Sequence, residues 1–146
     1  MTTAMSRRDA LILIAGMAGA ALLGCAAEAG GVDDIVAGAD ECAWCRMLID
    51  DVSLAAQFVP GGGRRAPFGE VGCMLAWLHA RPEATGVAWV RARESGQWIA
   101  AARARFGIGE KRTPMRFDVV AHDVARAGTV TWDALRSEGA PHVRTN

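Results

Sequence analysis

The sequence predicts an α+β domain of short strands and short helices, and three observations carry that prediction. Val52, Leu54, Ala56 and Phe58 alternate with period two, as a half-buried strand requires. Val71, Leu75 and Leu78 recur at i, i+4 and i+7, the apolar stripe of an amphipathic helix. Near the C-terminus "TWDALRSEG" combines a Thr cap, helical apolar spacing and a closing glycine. Short strands interleaved with short helices favour an α+β arrangement over a parallel doubly wound sheet. The order of strands in the sheet cannot be read from these signals.

The 146-residue chain opens with a leader. "MTTAMSRRDA" is polar and carries Arg7 and Arg8, and "LILIAGMAGAALLG" is uncharged and mostly apolar up to Cys25. That run is too short to span a bilayer comfortably, which takes about twenty apolar residues, and reads as the n- and h-regions of an export signal. "SRRDAL" resembles a twin-arginine signal, although Ala10 stands where a larger residue is usual, so Sec export stays open. "LLGC" resembles a bacterial lipobox. That resemblance implies cleavage after residue 24 and lipidation of Cys25, which holds a protein at a membrane surface without a transmembrane helix. Ala26 follows the cysteine, where an inner-membrane retention signal would place aspartate, so the outer membrane of a diderm cell is slightly favoured over the inner.

Residues 25–40 are small and acidic with scattered glycines, the composition of a flexible tether. The folded domain is expected over 41–146. "MLI" and "VSLAAQFV" predict two strands turned at Asp50-Asp51, and "PGGGRRAP" a loop. "FGEVGCMLAWLHA" is the helix, closed by Arg81-Pro82. "GVAWVRA" and "QWIA" around "RESG" predict a hairpin, and "AAARAR" a short helix. "FGIG", "MRFDVVA" and "GTVTW" are further strand candidates before the terminal helix.

Composition excludes some functions. Lys plus Arg and Asp plus Glu both number 16, and with Arg7, Arg8 and Asp9 in the leader the remainder stays near neutral. No strong field draws the domain to nucleic acid. "PGGGRR" lacks the Lys-Ser of a phosphate-binding loop, and there is no internal repeat.

The chemistry lies in sulfur. With Cys25 assigned to lipid, Cys42, Cys45 and Cys73 remain, together with Met47, Met74 and Met115. In "ECAWCRM", an extended chain after Cys45 would put Cys45 and Met47 on one face, with Cys42 brought round by a turn. Two thiolates and a thioether then select Cu(I) over harder ions. A structural Cys42–Cys45 disulfide suits an exported protein, and a redox dithiol is the third alternative. Cys73 lies about 160° around its helix from Val71 and Leu75, off the main stripe, facing either a second layer or a site. His79 is roughly 120° from Cys73 and poorly placed to share an ion with it. Met74 and His122 are further candidate ligands, although a lone histidine is more often structural, and Met47 taken alone could be a core filler at the start of a strand. Met115, in "KRTPMRF", follows an extended Thr-Pro entry and could either close over a metal or turn inward to the core.

Taken in order, "ECAWCRMLIDD", "FGEVGCMLAWL", "GQWIAA" and "KRTPMRF" resemble the NosL family of nitrous-oxide-reductase accessory lipoproteins across nearly all of the chain after the leader. The resemblance implies two small ββαβ-like halves and a periplasmic, lipid-anchored Cu(I) chaperone, not an enzyme. Its partner would be a copper recipient or the assembly machinery of nitrous oxide reductase. It also implies that Cys45 and Met47 form the core of the metal site, with Met115 from the Thr-Pro-Met segment and Cys42 as an additional thiol. Gln57, Phe68, Trp98 and Ala101 fall at positions assigned to the fold. Arg46 and Arg116 replace glycines usual in the family, and Ala100 replaces an acidic residue. The two arginines could clash with backbone at φ > 0 or place cations beside the site, which would lower the thiol pKa. The alternative reading is an exported thiol-disulfide oxidoreductase using Cys42 and Cys45, with Cys73 as resolving thiol; it gives Met47 no role.

Overall fold

The computed structural model describes residues 32–138. The leader, Cys25 and the start of the tether lie outside them. An antiparallel sheet of order β2-β1-β3-β4 is formed by β1 (Ala56–Pro60), β2 (Ala66–Phe68), β3 (Gly86–Arg91) and β4 (Trp98–Ala100). Helix α1 (Val71–His79) connects β2 to β3. A second sheet pairs β5 (Arg105–Ile108) with β6 (Val119–His122), and α2 (Trp132–Ser137) follows. The mixture is α+β, as the periodicities indicate. The first half runs ββαβ and adds β4; the second contributes β5, β6 and α2.

Local chemistry explains the elements. Pairing of Ala56 with Val90 and of Val59 with Val87 makes β1 a central strand. The "RESG" turn brings Arg91 opposite Trp98, closing the expected hairpin. The Thr131 hydroxyl accepts from Ala134 N at 3.2 Å and caps α2. Phe58 and Phe68 both pack on Trp77 of α1, at centroid distances of 5.5 and 5.8 Å, and Phe106 meets Trp132 at 5.5 Å. Gln57, Phe68 and Ala101 are fully buried, and the Trp98 indole donates to Asp34 at 3.1 Å.

Four expectations need correction. Residues 52–54 form a 3-10 turn rather than strand, because the Asp51 carboxylate caps it by accepting from Ser53 N. The expected turn at Asp50-Asp51 is therefore a helical start. "AAARAR" shrinks to a 3-10 turn at Ala101–Arg103, and "GTVTW" contributes only the bridge of Val130 to Phe106. Finally, the packed domain starts before Glu41. Ile35 is buried, the Asp33 carbonyl accepts from Gln57 Nε2 at 2.9 Å, and Asp40 pairs with Arg65 at 3.0 Å. One apolar side chain and these polar anchors outweigh the tether-like composition of residues 33–40.

Candidate metal centre

The "ECAWCRM" segment folds as a tight hairpin. Glu41 bridges Leu48, Cys42 N donates to the Met47 carbonyl at 2.8 Å, and Arg46 N donates to the Cys42 carbonyl at 3.0 Å. Ala43 N donates to the Pro67 carbonyl at 2.8 Å, fastening the turn to β2. Arg46 has φ 66°, so the chain after Cys45 is left-handed and not extended. The turn nevertheless brings Cys42, Cys45 and Met47 to one cleft.

The opposite wall comes from the Thr-Pro-Met segment. Thr113 N donates to the Asp118 carboxylate at 2.8 Å and Asp118 N returns a bond to the Thr113 hydroxyl at 2.9 Å. Arg116 has φ 61°. Glu70, the buried residue ahead of α1, accepts from Met115 N at 2.8 Å. Met115 is thereby held at the cleft, 39% exposed.

The floor is supplied by α1. Cys73 is buried, and its sulfur lies with those of Cys42 and Cys45 in a group whose members are all within 4.8 Å of one another. The sequence left Cys73 between packing and a site; the structure brings it to the other two thiols. All three are free. The cleft, about 490 Å³, is also lined by Met47, Met115, Glu70 and Asp51. Two candidate ligands are absent from this lining. Met74 is fully buried in the core, because α1 is covered on both faces. His122 is fully buried with Nδ1 2.6 Å from Glu94 and Nε2 2.9 Å from Glu110, so neither ring nitrogen is free for an ion.

The thiols share their protons unequally. Cys73 Sγ donates to Glu70 Oε1 at 3.9 Å, and its thiol, within 4.8 Å of the Cys42 sulfur, lowers Cys42 to about 5 against the opposing effect of burial, with backbone N–H groups of Cys45, Gly69 and Trp44 assisting. The neighbouring Cys42 thiolate, followed by burial, pushes Cys73 strongly upward, and burial raises Cys45. Arginine charge is not among these causes; Arg46 turns instead to Glu41, 2.6 Å away. Burial also raises the Glu70 carboxyl, whose Oε2 has no hydrogen-bond partner. The reduced protein should therefore show a thiolate ultraviolet signal that grows as pH rises through about 5 and vanishes in Cys42→Ser. Because the folded value lies below the ordinary thiol value, the associated stability is complete above the ordinary value and is lost as pH falls toward 5. A first titration step at ordinary thiol pH would show that Cys73 does not favour the Cys42 thiolate.

No protein-family model matches the chain, and no characterised protein matches it in sequence. The crystal structure of the copper chaperone NosL from Shewanella denitrificans matches with a TM-score of 0.54, covering 75% of this chain and 88% of that one. The chain has the NosL fold. Identity is 15%, so the likeness is one of architecture, and the site must be argued from this chain's own residues.

Set on the NosL fold, Arg46 and Arg116 bear the backbone cost that their side chains impose. Left-handed φ costs a non-glycine residue about 1–2 kcal/mol, while glycine loses about 0.5–1 kcal/mol through its freer unfolded state. Arg116→Gly should accordingly raise stability by about 1 kcal/mol in denaturant titration. Arg46→Gly should gain less, because it gives up the exposed Glu41 pair. A fall in the Arg116→Gly midpoint would show that the side chain's own contacts outweigh the strain.

Proposed function

We propose that the protein is a Cu(I) carrier that delivers copper to a cuproenzyme at the extracytoplasmic face of a bacterial membrane. The observation that carries this reading is one cleft lined by three thiols and two thioethers, Cys42, Cys45, Cys73, Met47 and Met115. Thiolate and thioether sulfur match a soft monovalent ion, whereas zinc sites draw on thiolate, imidazole and carboxylate. Thiols already within 4.8 Å need little movement to share an ion. Met47, at 46% exposed, and Met115 stand where an acceptor's ligands can enter. Transfer by ligand exchange requires no catalytic turnover, and the reading assigns none.

Lipidation of Cys25 would keep the carrier at the membrane, with the outer membrane slightly favoured. Among the described residues no helix is long and apolar enough to cross a bilayer. The fold shared with NosL and the motif order support a recipient in nitrous oxide reductase assembly. Anaerobic titration of the reduced full-length protein in detergent, against a chromophoric Cu(I) chelator, tests the reading. Tight one-to-one competition is expected, and failure to compete would sink it.

One observation favours the thiol-disulfide oxidoreductase alternative, the depressed pKa of Cys42. Reactivity also needs access, and Cys42 is only 1% exposed while the more open Cys45 is shifted upward. The most reactive thiolate is thus the one a substrate disulfide reaches least.

A further inference from the structure

We infer that the cleft holds one Cu(I) ion at either of two positions joined by Cys45: a buried holding position made by Cys42, Cys45 and Cys73, and an exposed transfer position made by Cys45, Met47 and Met115. The inference rests on the Cu(I)-carrier reading and adds to it where the ion stays and where it leaves.

Five sulfurs line the cleft, more than a low-coordinate soft ion can use at once. They separate by depth. Cys42 and Cys73 are each 1% exposed, Met47 and Met115 are 46% and 39% exposed, and half-buried Cys45 lies between the two sets. They also separate by donor chemistry. The deep set consists of thiols, which bind as anions, and the shallow set beyond Cys45 consists of neutral thioethers. Anionic ligands in a poorly hydrated pocket attract a cation more strongly than neutral ligands in solvent do. The deep position is therefore the resting one.

The scaffolds of the two sets are also distinct. Cys42 begins the hairpin fastened to Pro67, and Cys73 lies in the first turn of α1, so both belong to the packed core. Met115 is carried by a loop whose backbone N–H is tied to Glu70. Glu70 thus acts as a positioning residue, fixing the thioether wall relative to the helix that bears Cys73.

Passage outward keeps the Cys45–copper bond while Met47 and Met115 sulfurs replace those of Cys42 and Cys73. Copper remains Cu(I) and no electron moves. On release Cys73 takes a proton from solvent while Cys42 stays a thiolate, and the reverse step returns that one proton. An acceptor's sulfur or imidazole then meets the ion only at the exposed position.

Methyl NMR of methionine-labelled full-length protein in detergent, with one equivalent of Cu(I), separates the positions. In the wild type the Met47 and Met115 methyl signals should move little. In Cys73→Ala, and independently in Cys42→Ser should the helix variant fail to fold, they should move strongly. Both variants should also release copper to a chelator more than about tenfold faster, within the range seen when metal-site support is lost. Full movement of both methyls in the wild type, or release rates unchanged in both variants, overturns the two-position arrangement while leaving the carrier reading intact. Absence of Cu(I) binding by the wild type is the separate failure of the carrier reading.

Discussion

Replacing Cys45 by serine lowers Cu(I) affinity more than any other single sulfur substitution, by more than about a hundredfold, since loss of an outer-shell partner alone commonly costs 10–100-fold. Cys45 is the one sulfur that belongs both to the thiol group and to the open side of the cleft. Met47→Leu removes one neutral donor from the rim, and Cys42→Ser leaves Cys45 with Cys73, Met47 and Met115. Each of those variants retains a continuous set of soft ligands; Cys45→Ser divides what remains. The serine hydroxyl nearly preserves volume but is a hard donor with little affinity for Cu(I). Competition titration of the three variants under one set of anaerobic conditions checks the ranking. If Cys42→Ser proves more damaging than Cys45→Ser, the ion depends on the buried thiols alone. A thiol-disulfide oxidoreductase would behave differently, since either cysteine of its pair would be indispensable and Met47→Leu would be silent.

How much of this was legible depends on whether each signal was local. The α1 stripe, the "RESG" hairpin and the Thr131 cap rest on neighbours a few residues apart, and all three are present. Local reading failed where a distant group decided the outcome. Residues 33–40 resemble a tether until Gln57, Arg65 and Trp98 are brought against them. Cys73 looks off-face only if α1 has one buried side. The helix touches β1, β2 and β6, and seven of its nine residues are buried, so its apolar stripe does not distinguish core from site. A cue was present in "VGCMLAWL", which is apolar almost all round, as helices covered on both sides are. His122 had no comparable cue, because its partners Glu94 and Glu110 lie 28 and 12 residues away. At the sulfur-lined cleft, the "CAWCRM" spacing pointed to Cys42, Cys45 and Met47 as neighbours, and all three line it. The expected geometry was different, since Arg46 adopts a left-handed turn and the strand-like alternation of Cys45 and Met47 is lost.

The same dependence on distant contacts reverses the sign of an ordinary helix substitution at Gly72. Alanine in a helix interior is normally favoured over glycine by about 1 kcal/mol. In α1, however, a Cβ at position 72 would fall on the Cβ, Cγ and Cδ2 atoms of Phe117, well inside contact distance. Phe117 is buried and cannot swing into solvent without opening the core. It is also the residue before Asp118, whose carboxylate and N–H lock Thr113, and it follows Met115 by two positions. Overpacking of this kind costs typically 1–3 kcal/mol. Gly72→Ala should therefore destabilise the protein by about 2 kcal/mol, lowering the melting temperature by about 10 °C at the usual sensitivity of small domains. The displaced loop should also carry Met115 away from the cleft and weaken the Glu70 bond to its backbone. Thermal unfolding of the metal-free protein reads the first effect, and the Met115 methyl resonance reads the second. A higher melting temperature would mean that α1 and the Thr-Pro-Met loop are not in close contact, and the support that holds Met115 at the cleft would be lost.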